Sequence, residues 1–185
     1  MNKVVWKLIG IVVAVLTMVG CATQSSNQNA YSAPKLNTTE FFYLNSISLV
    51  TEQFVTPDIE YHSESEIEEK VSAGVRQSLS SAGLLSEDTS MTTLDVDVVY
   101  QKRFVGDKTP ITSDSLAYPM FDYTITVQNG AKEVSTISRK GLTYSGDFTM
   151  NLKVAGGRLR KKSDEEVFIK ALVDSISETI QSFKK

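Results

Sequence analysis

The chain has 185 residues, 41% hydrophobic and 22% charged, with a formal net charge of −3. That suits one domain with a real core and argues against two. One Cys and one His exclude an internal disulfide framework and the common multi-Cys or multi-His metal sites. The mild negative charge disfavours a nucleic-acid binder driven by global basicity.

Residues 1–20 read as an export signal. Lys3 and Lys7 form a short basic start, and Leu8 to Gly20 is an apolar run. A spanning helix needs about 20 apolar residues, so this shorter run predicts a signal-peptide core. The run ends in Met18-Val19-Gly20-Cys21. This resembles a bacterial lipobox, with a small residue before the cysteine that becomes the lipidated first residue. Met18 departs from the more usual Leu. The resemblance implies a diacylglyceryl thioether and an N-acyl group on Cys21, with palmitate a representative acyl chain and no other cofactor. Each buried methylene contributes about 0.8 kcal/mol, and one chain alone anchors only marginally, so several chains are needed for firm attachment. Ala22 and Thr23 follow the cysteine. By the same resemblance, the absence of Asp there implies sorting to the outer membrane, with the domain facing the periplasm.

Ala22 to Asn37 is rich in Thr, Gln, Ser and Asn and carries almost no charge. Such a segment buries too little apolar surface to order itself, and predicts a tether with a reach on the order of 20 Å. The expected organisation is a signal peptide over 1–20, lipidated Cys21 and tether over 21–39, and one domain over 40–185.

Phe41 to Val50 reads as a first strand, with Phe41, Tyr43, Ile47 and Leu49 on one face and Asn45 as the exception. Thr51 to Ser63 is a loop. Ser63 with Glu66, and Ser65 with Glu68, offer overlapping capping boxes for a helix. Ile67, Val71, Val75 and Leu79 form its apolar stripe, and Gly83 is a credible stop. Leu94, Val96, Val98 and Tyr100 alternate with Asp95, Asp97 and Val99 in a second strand. Gln101 to Pro119 is a long polar connection. Phe121, Tyr123, Ile125 and Val127 alternate in a third strand, ended by Asn129-Gly130. A tight turn there places Ile125 opposite Val134 and Tyr123 opposite Thr136. Phe148, Met150, Leu152 and Val154 alternate again and predict a further strand, ended by Gly156-Gly157. Ser163 to Glu166 offers another capping box, opening a helix with Phe168, Ile169, Leu172, Val173, Ile176, Ile180 and Phe183 on one face. The expected fold class is α+β: a mostly antiparallel sheet of four to five strands with two amphipathic helices packed on one face.

Several of these segments resemble the YajG-type outer-membrane lipoproteins. The likeness runs from about Glu66 to Phe183. It lies in Ser81-Ala82-Gly83, Leu94-Asp95-Val96-Asp97-Val98, Val127-Gln128-Asn129-Gly130, Tyr144 to Phe148, and Ala171 to Ile176. It implies fold and location but no mechanism. A looser likeness, in element order only, is to the LptE-type lipopolysaccharide-assembly lipoproteins.

No catalytic constellation stands out. His62 reads as a surface loop residue, and no Gly-x-Ser-x-Gly elbow accompanies it. Asp95, Asp97 and Asp122 read as the solvated face of a half-buried sheet, with acid/base work or Ca²⁺ binding as the functional alternative. Gly156-Gly157 lacks the Lys-Ser/Thr of a phosphate loop. The sharpest surface feature is basic: Lys153, Arg158, Arg160, Lys161 and Lys162. Their expected partner is an anionic lipid, lipopolysaccharide or an acidic envelope protein, unless Asp164, Glu165 and Glu166 neutralise them locally. The chain is therefore expected to be a non-enzymatic binding or accessory module of the cell envelope. A lipid- or lipopolysaccharide-handling assembly factor is the alternative, and an envelope hydrolase a remote third.

Overall fold

A computed structural model describes residues 41–144 and 146–184. The signal peptide, Cys21 and the tether fall outside the described residues. The elements are β1 (Phe42–Gln53), α1 (Glu64–Ser81), β2 (Thr92–Lys102), β3 (Met120–Asn129), β4 (Lys132–Thr143), α2 (Phe148–Ala155) and α3 (Lys162–Gln181), with a 3-10 turn at Ser182–Lys184. The four strands form one sheet in the order β1-β2-β3-β4. β1 and β2 pair in parallel across the α1 crossover, and the other two pairings are antiparallel. The expected α+β class holds, and the sheet is mixed but mostly antiparallel, with β1-β2 the parallel pairing.

One face of the sheet carries the core. Leu94, Val96, Val98 and Tyr100 of β2 meet Ile67, Val71, Val75 and Leu79 of α1 and Ile169, Leu172, Ile176 and Ile180 of α3. All four α1 stripe residues are fully buried, and each such burial contributes about 1.5–3 kcal/mol. The helix begins where the sequence says. Ser63 accepts a hydrogen bond from the Glu66 amide, and the Glu66 carboxylate accepts from the Ser63 amide at 2.8 Å. It also ends there. Gly83 takes a φ of 63°, the Leu84 amide donates to the Leu79 carbonyl, and the Gly83 amide donates to the Ser80 carbonyl. This is a Schellman closure, and glycine supplies the left-handed residue at least strain.

Four local expectations change. In β1 the register shifts between Leu44 and Ser46, so Asn45 is bulged out. The bulge reverses the alternation. Phe42, Leu44, Ile47 and Leu49 face the core, while Phe41 and Val50 are exposed. The hairpin turn is Gly130-Ala131, because Asn129 pairs with Lys132. A second irregularity then puts Ile125 opposite Ile137 and Tyr123 opposite Arg139, instead of Val134 and Thr136. Finally, Phe148 to Val154 is helical. Asp147 caps α2 by accepting from the Met150 amide at 2.7 Å, and Gly156-Gly157 closes it with the Arg158 amide donating to the Lys153 carbonyl. The alternation that suggested a strand is two (i, i+4) pairs on opposite helix faces: Met150 and Val154 inward, Phe148 and Leu152 outward. α3 starts earlier than expected, with Asp164 accepting from the Lys161 amide at 2.9 Å.

The outer edge of β1 is covered by polar groups of α1 and the segment after it. The Phe42 amide donates to Leu84, and the Leu44 carbonyl accepts from Arg76. The Leu49 and Thr51 amides donate to Glu68 and Glu64. Covering an edge this way blocks strand addition by another chain.

Candidate functional site

Two clusters at the N-terminal end of α3 concentrate the chemistry of the described residues. The first is internal. His62, expected at the surface, is only 5% exposed, because the residues that cover it lie about a hundred positions away on α3. Its Nδ1 is 3.1 Å from Glu165 Oε2, and its Nε2 is 3.1 Å from Glu166 Oε1. The His62 amide also donates to Glu165, and Lys102 donates to the His62 carbonyl at 2.7 Å. Lys102 Nζ is 3.1 Å from Glu165 Oε1, at ion-pair distance but without hydrogen-bond alignment. Glu165 is fully buried and Lys102 nearly so.

Lys70 completes the set by donating to Glu166 at 2.8 Å, and this bond holds the Glu166 carboxyl below its ordinary range. Nearby, burial pushes the Tyr61 hydroxyl up to about 12. That hydroxyl faces the Leu159 carbonyl at 2.9 Å and the Asp114 carbonyl at 2.6 Å, so it stays a donor. Burial, and after it the Glu165 charge, raises the Tyr100 hydroxyl well above its ordinary value, and that hydroxyl has no hydrogen-bond partner among the described residues. A hollow of about 470 Å³ opens beside the cluster, lined by Thr51, Gln53, Ile59, Tyr61, His62 and Lys102. Neither ring nitrogen of His62 is turned toward a hydroxyl. Ser63, the nearest in sequence, is committed to Glu66 and Ser65.

The second cluster faces outward. Tyr61, Phe104, Leu116, Leu159 and Phe168 form a small apolar core beneath α2, joined by Tyr118, Tyr144, Met150 and Val154. Tyr118 also donates to Asn151 at 2.8 Å. Leu159 is locked there by backbone: its carbonyl accepts from the Leu116 amide and its amide donates to Ser115 Oγ. Burying Leu159 turns its neighbours outward. Arg158, Arg160 and Lys161 are exposed, as is Lys153.

The five expected basic residues divide. Arg160 lies 3.4 Å from Asp114, and Lys162 donates to Glu66 at 2.6 Å. That contact, with the Ser63 amide, pulls the Glu66 carboxyl down to about 2. Lys153, Arg158 and Lys161 make no ion pair among the described residues. None of the three acids that follow forms an ion pair with them. Asp164 caps α3, and Glu165 and Glu166 serve His62, Lys102 and Lys70. Beside the free cations, Phe148 is 76% and Leu152 56% exposed. The sequence showed these two residues but hid their exposure, because an alternating pattern was available to absorb them.

The aspartates stay on the open sheet face. Asp95 accepts from Asn45 and Ser46, and Asp122 accepts from the Gly141 amide at a β4 irregularity. No group of three or more potential metal ligands occurs among the described residues.

No protein-family model matches the chain, and no curated protein matches it by sequence. Solved structures do share part of its course. A minor lipoprotein from Acinetobacter baumannii superimposes with a TM-score of 0.41 at 14% identity, covering 78% of this chain and 93% of its own. A Xanthomonas campestris protein of the DUF330 family gives 0.36 at 11% identity, covering 82% and 90%. The rare lipoprotein B from Shewanella oneidensis gives 0.27 at 13% identity, covering 74% and 99%. No role passes to this chain from likenesses of this size.

Proposed function

We propose that the chain is a lipid-anchored protein of the bacterial envelope, held in the outer membrane through Cys21 and facing the periplasm. In this reading it works as a non-enzymatic binding or accessory module of the YajG type. The observation that carries the binding role is the division of its charges. The His62 ring is held between two carboxylates, while Lys153, Arg158 and Lys161 are exposed and make no ion pair among the described residues. A general base needs a nitrogen aimed at the proton it removes, and His62 aims both at carboxylates. No helix among the described residues is long and apolar enough to cross a membrane; the attachment proposed here is argued from Met18-Val19-Gly20-Cys21.

Cys21→Ser tests the anchor. The variant is expected to fold as wild type, lose metabolic labelling by a fatty acid and leave the membrane fraction. Equal labelling of both proteins would remove the lipoprotein reading. The same three cations favour a second reading, a lipid- or lipopolysaccharide-handling assembly factor. Co-purification of lipopolysaccharide with the wild type, lost when the three are neutralised, would favour it.

A further inference from the structure

α2 is an unusual helix for a small domain. It has eight residues, none fully buried, and apolar side chains on both faces. Met150 and Val154 pack on the small core, so Phe148 and Leu152 project away from it. One helix turn separates Phe148 from Leu152, which makes them a continuous stripe. Lys153 lies on the exposed flank of the helix, and Arg158 and Lys161 follow in the segment that leaves it. Ile111, 85% exposed, sits on the 105–115 loop, which is stitched to that segment through Ser115 and Leu159. Exposed apolar side chains followed along the chain by exposed cations that make no ion pair among the described residues are complementary to an anionic bilayer surface.

We infer that the α2 stripe with Lys153, Arg158 and Lys161 is a peripheral docking surface for anionic phospholipid, a second membrane contact besides Cys21. It deepens the envelope-module reading and rests on it for location. Phe148 and Leu152 enter the headgroup boundary. The three cations take up lipid phosphates, with the Lys153 side chain reaching them from the flank of the helix.

The reach is adequate. The described chain enters at Phe41, near the C-terminal end of α3, where Lys184 sits over the Phe41 ring. α2 packs near the other end of α3 through Phe168. Twenty residues of helix separate the ends by about 30 Å. The 20 residues from Cys21 to Phe41 can span at most about 70 Å, so their number permits the lipid anchor and α2 to meet one bilayer together. Two points of attachment orient the domain, where one point leaves it free to turn.

Trp6→Phe combined with Phe148→Trp makes position 148 the sole indole of the full-length protein, whether or not the signal is removed. The protein is reconstituted into vesicles with brominated acyl chains. In phosphatidylglycerol vesicles the emission of that single indole should shift to the blue and be quenched severalfold more than in phosphatidylcholine. Raising salt from about 0.1 M to about 1 M shortens the screening length from about 10 Å to about 3 Å and should weaken the effect. Adding Lys153→Gln, Arg158→Gln and Lys161→Gln together should abolish the difference between lipids. Solvent-like, unquenched emission in both lipids would overturn the proposal. A blue shift without vesicles that grows with protein concentration would overturn it in favour of a second copy. Loss of fatty-acid labelling at Cys21 is scored separately and bears on the anchor alone.

Discussion

The His62 cluster and the α2 segment lie at the same end of α3 and treat charge in opposite ways. Around His62, Lys102, Glu165, Glu166 and Lys70 are spent on one another, and two of those groups are almost wholly removed from water. Around α2, Lys153, Arg158 and Lys161 remain in water beside two exposed apolar side chains. Desolvated charges are costly unless paired, so the first arrangement fixes how α1, β2 and α3 meet. Solvated charges cost little and add little stability, so the second is free to serve a partner. The residues that look most catalytic are therefore tied up with one another, and the plain surface segment is the one proposed to meet a partner.

Glu165→Ala should break the contrast most severely. It leaves Lys102 buried without its carboxylate and strips the His62 amide and ring of an acceptor. Removing one member of a buried pair costs about 3–5 kcal/mol, which urea unfolding would read as a large drop in midpoint. A loss below about 1 kcal/mol would mean the cluster is wetter than its burial indicates. Ser63→Ala removes only the α1 cap and should cost about 1 kcal/mol in the same assay.

A pH experiment sharpens the boundary between the two regions at Lys162, a cation of the basic segment that pairs inward with Glu66. The folded Glu66 carboxyl lies at about 2, below its ordinary 4.5. Its contribution is therefore present above about 4.5 and is lost as pH falls through about 2. The Tm difference between wild type and Lys162→Met should be constant near neutrality and shrink across that window. A difference unchanged down to pH 2 would show that the pair does not act on the folded state.

The smallest effect belongs to the outer segment. Neutralising Lys153, Arg158 and Lys161 together should move stability by no more than about 0.5 kcal/mol, as for surface residues without partners. A larger loss in urea unfolding would place them among the structural charges.

Legibility in the sequence followed locality. The Ser63–Glu66 box, the Gly83 stop and the alternation of β2 and β3 depend on residues a few positions apart, and the structure keeps them. Asn45 broke the alternation of β1 visibly, but a single polar residue does not say that a bulge has reversed the faces. For α2 the helix signals were present in Asp147 and Gly157. They were outweighed by four alternating apolar residues, which fit a strand or a helix with two apolar faces. His62 was the least legible, because its burial depends on Glu165 and Lys102, far along the chain. The basic segment was legible as composition. Which cations stay free depended on Asp114 and Glu66, again distant.

Hydrogen exchange on the lipidated protein, in phosphatidylglycerol and in phosphatidylcholine vesicles, reads both regions at once. An eight-residue helix without a fully buried residue opens readily, so a bound surface has much to protect there. The account predicts slowed exchange over residues 148–161 in the anionic vesicles only, with residues 61–66 and 162–169 equally slow in both. Equal exchange over 148–161 in the two lipids, or protection appearing around His62 instead, would contradict it.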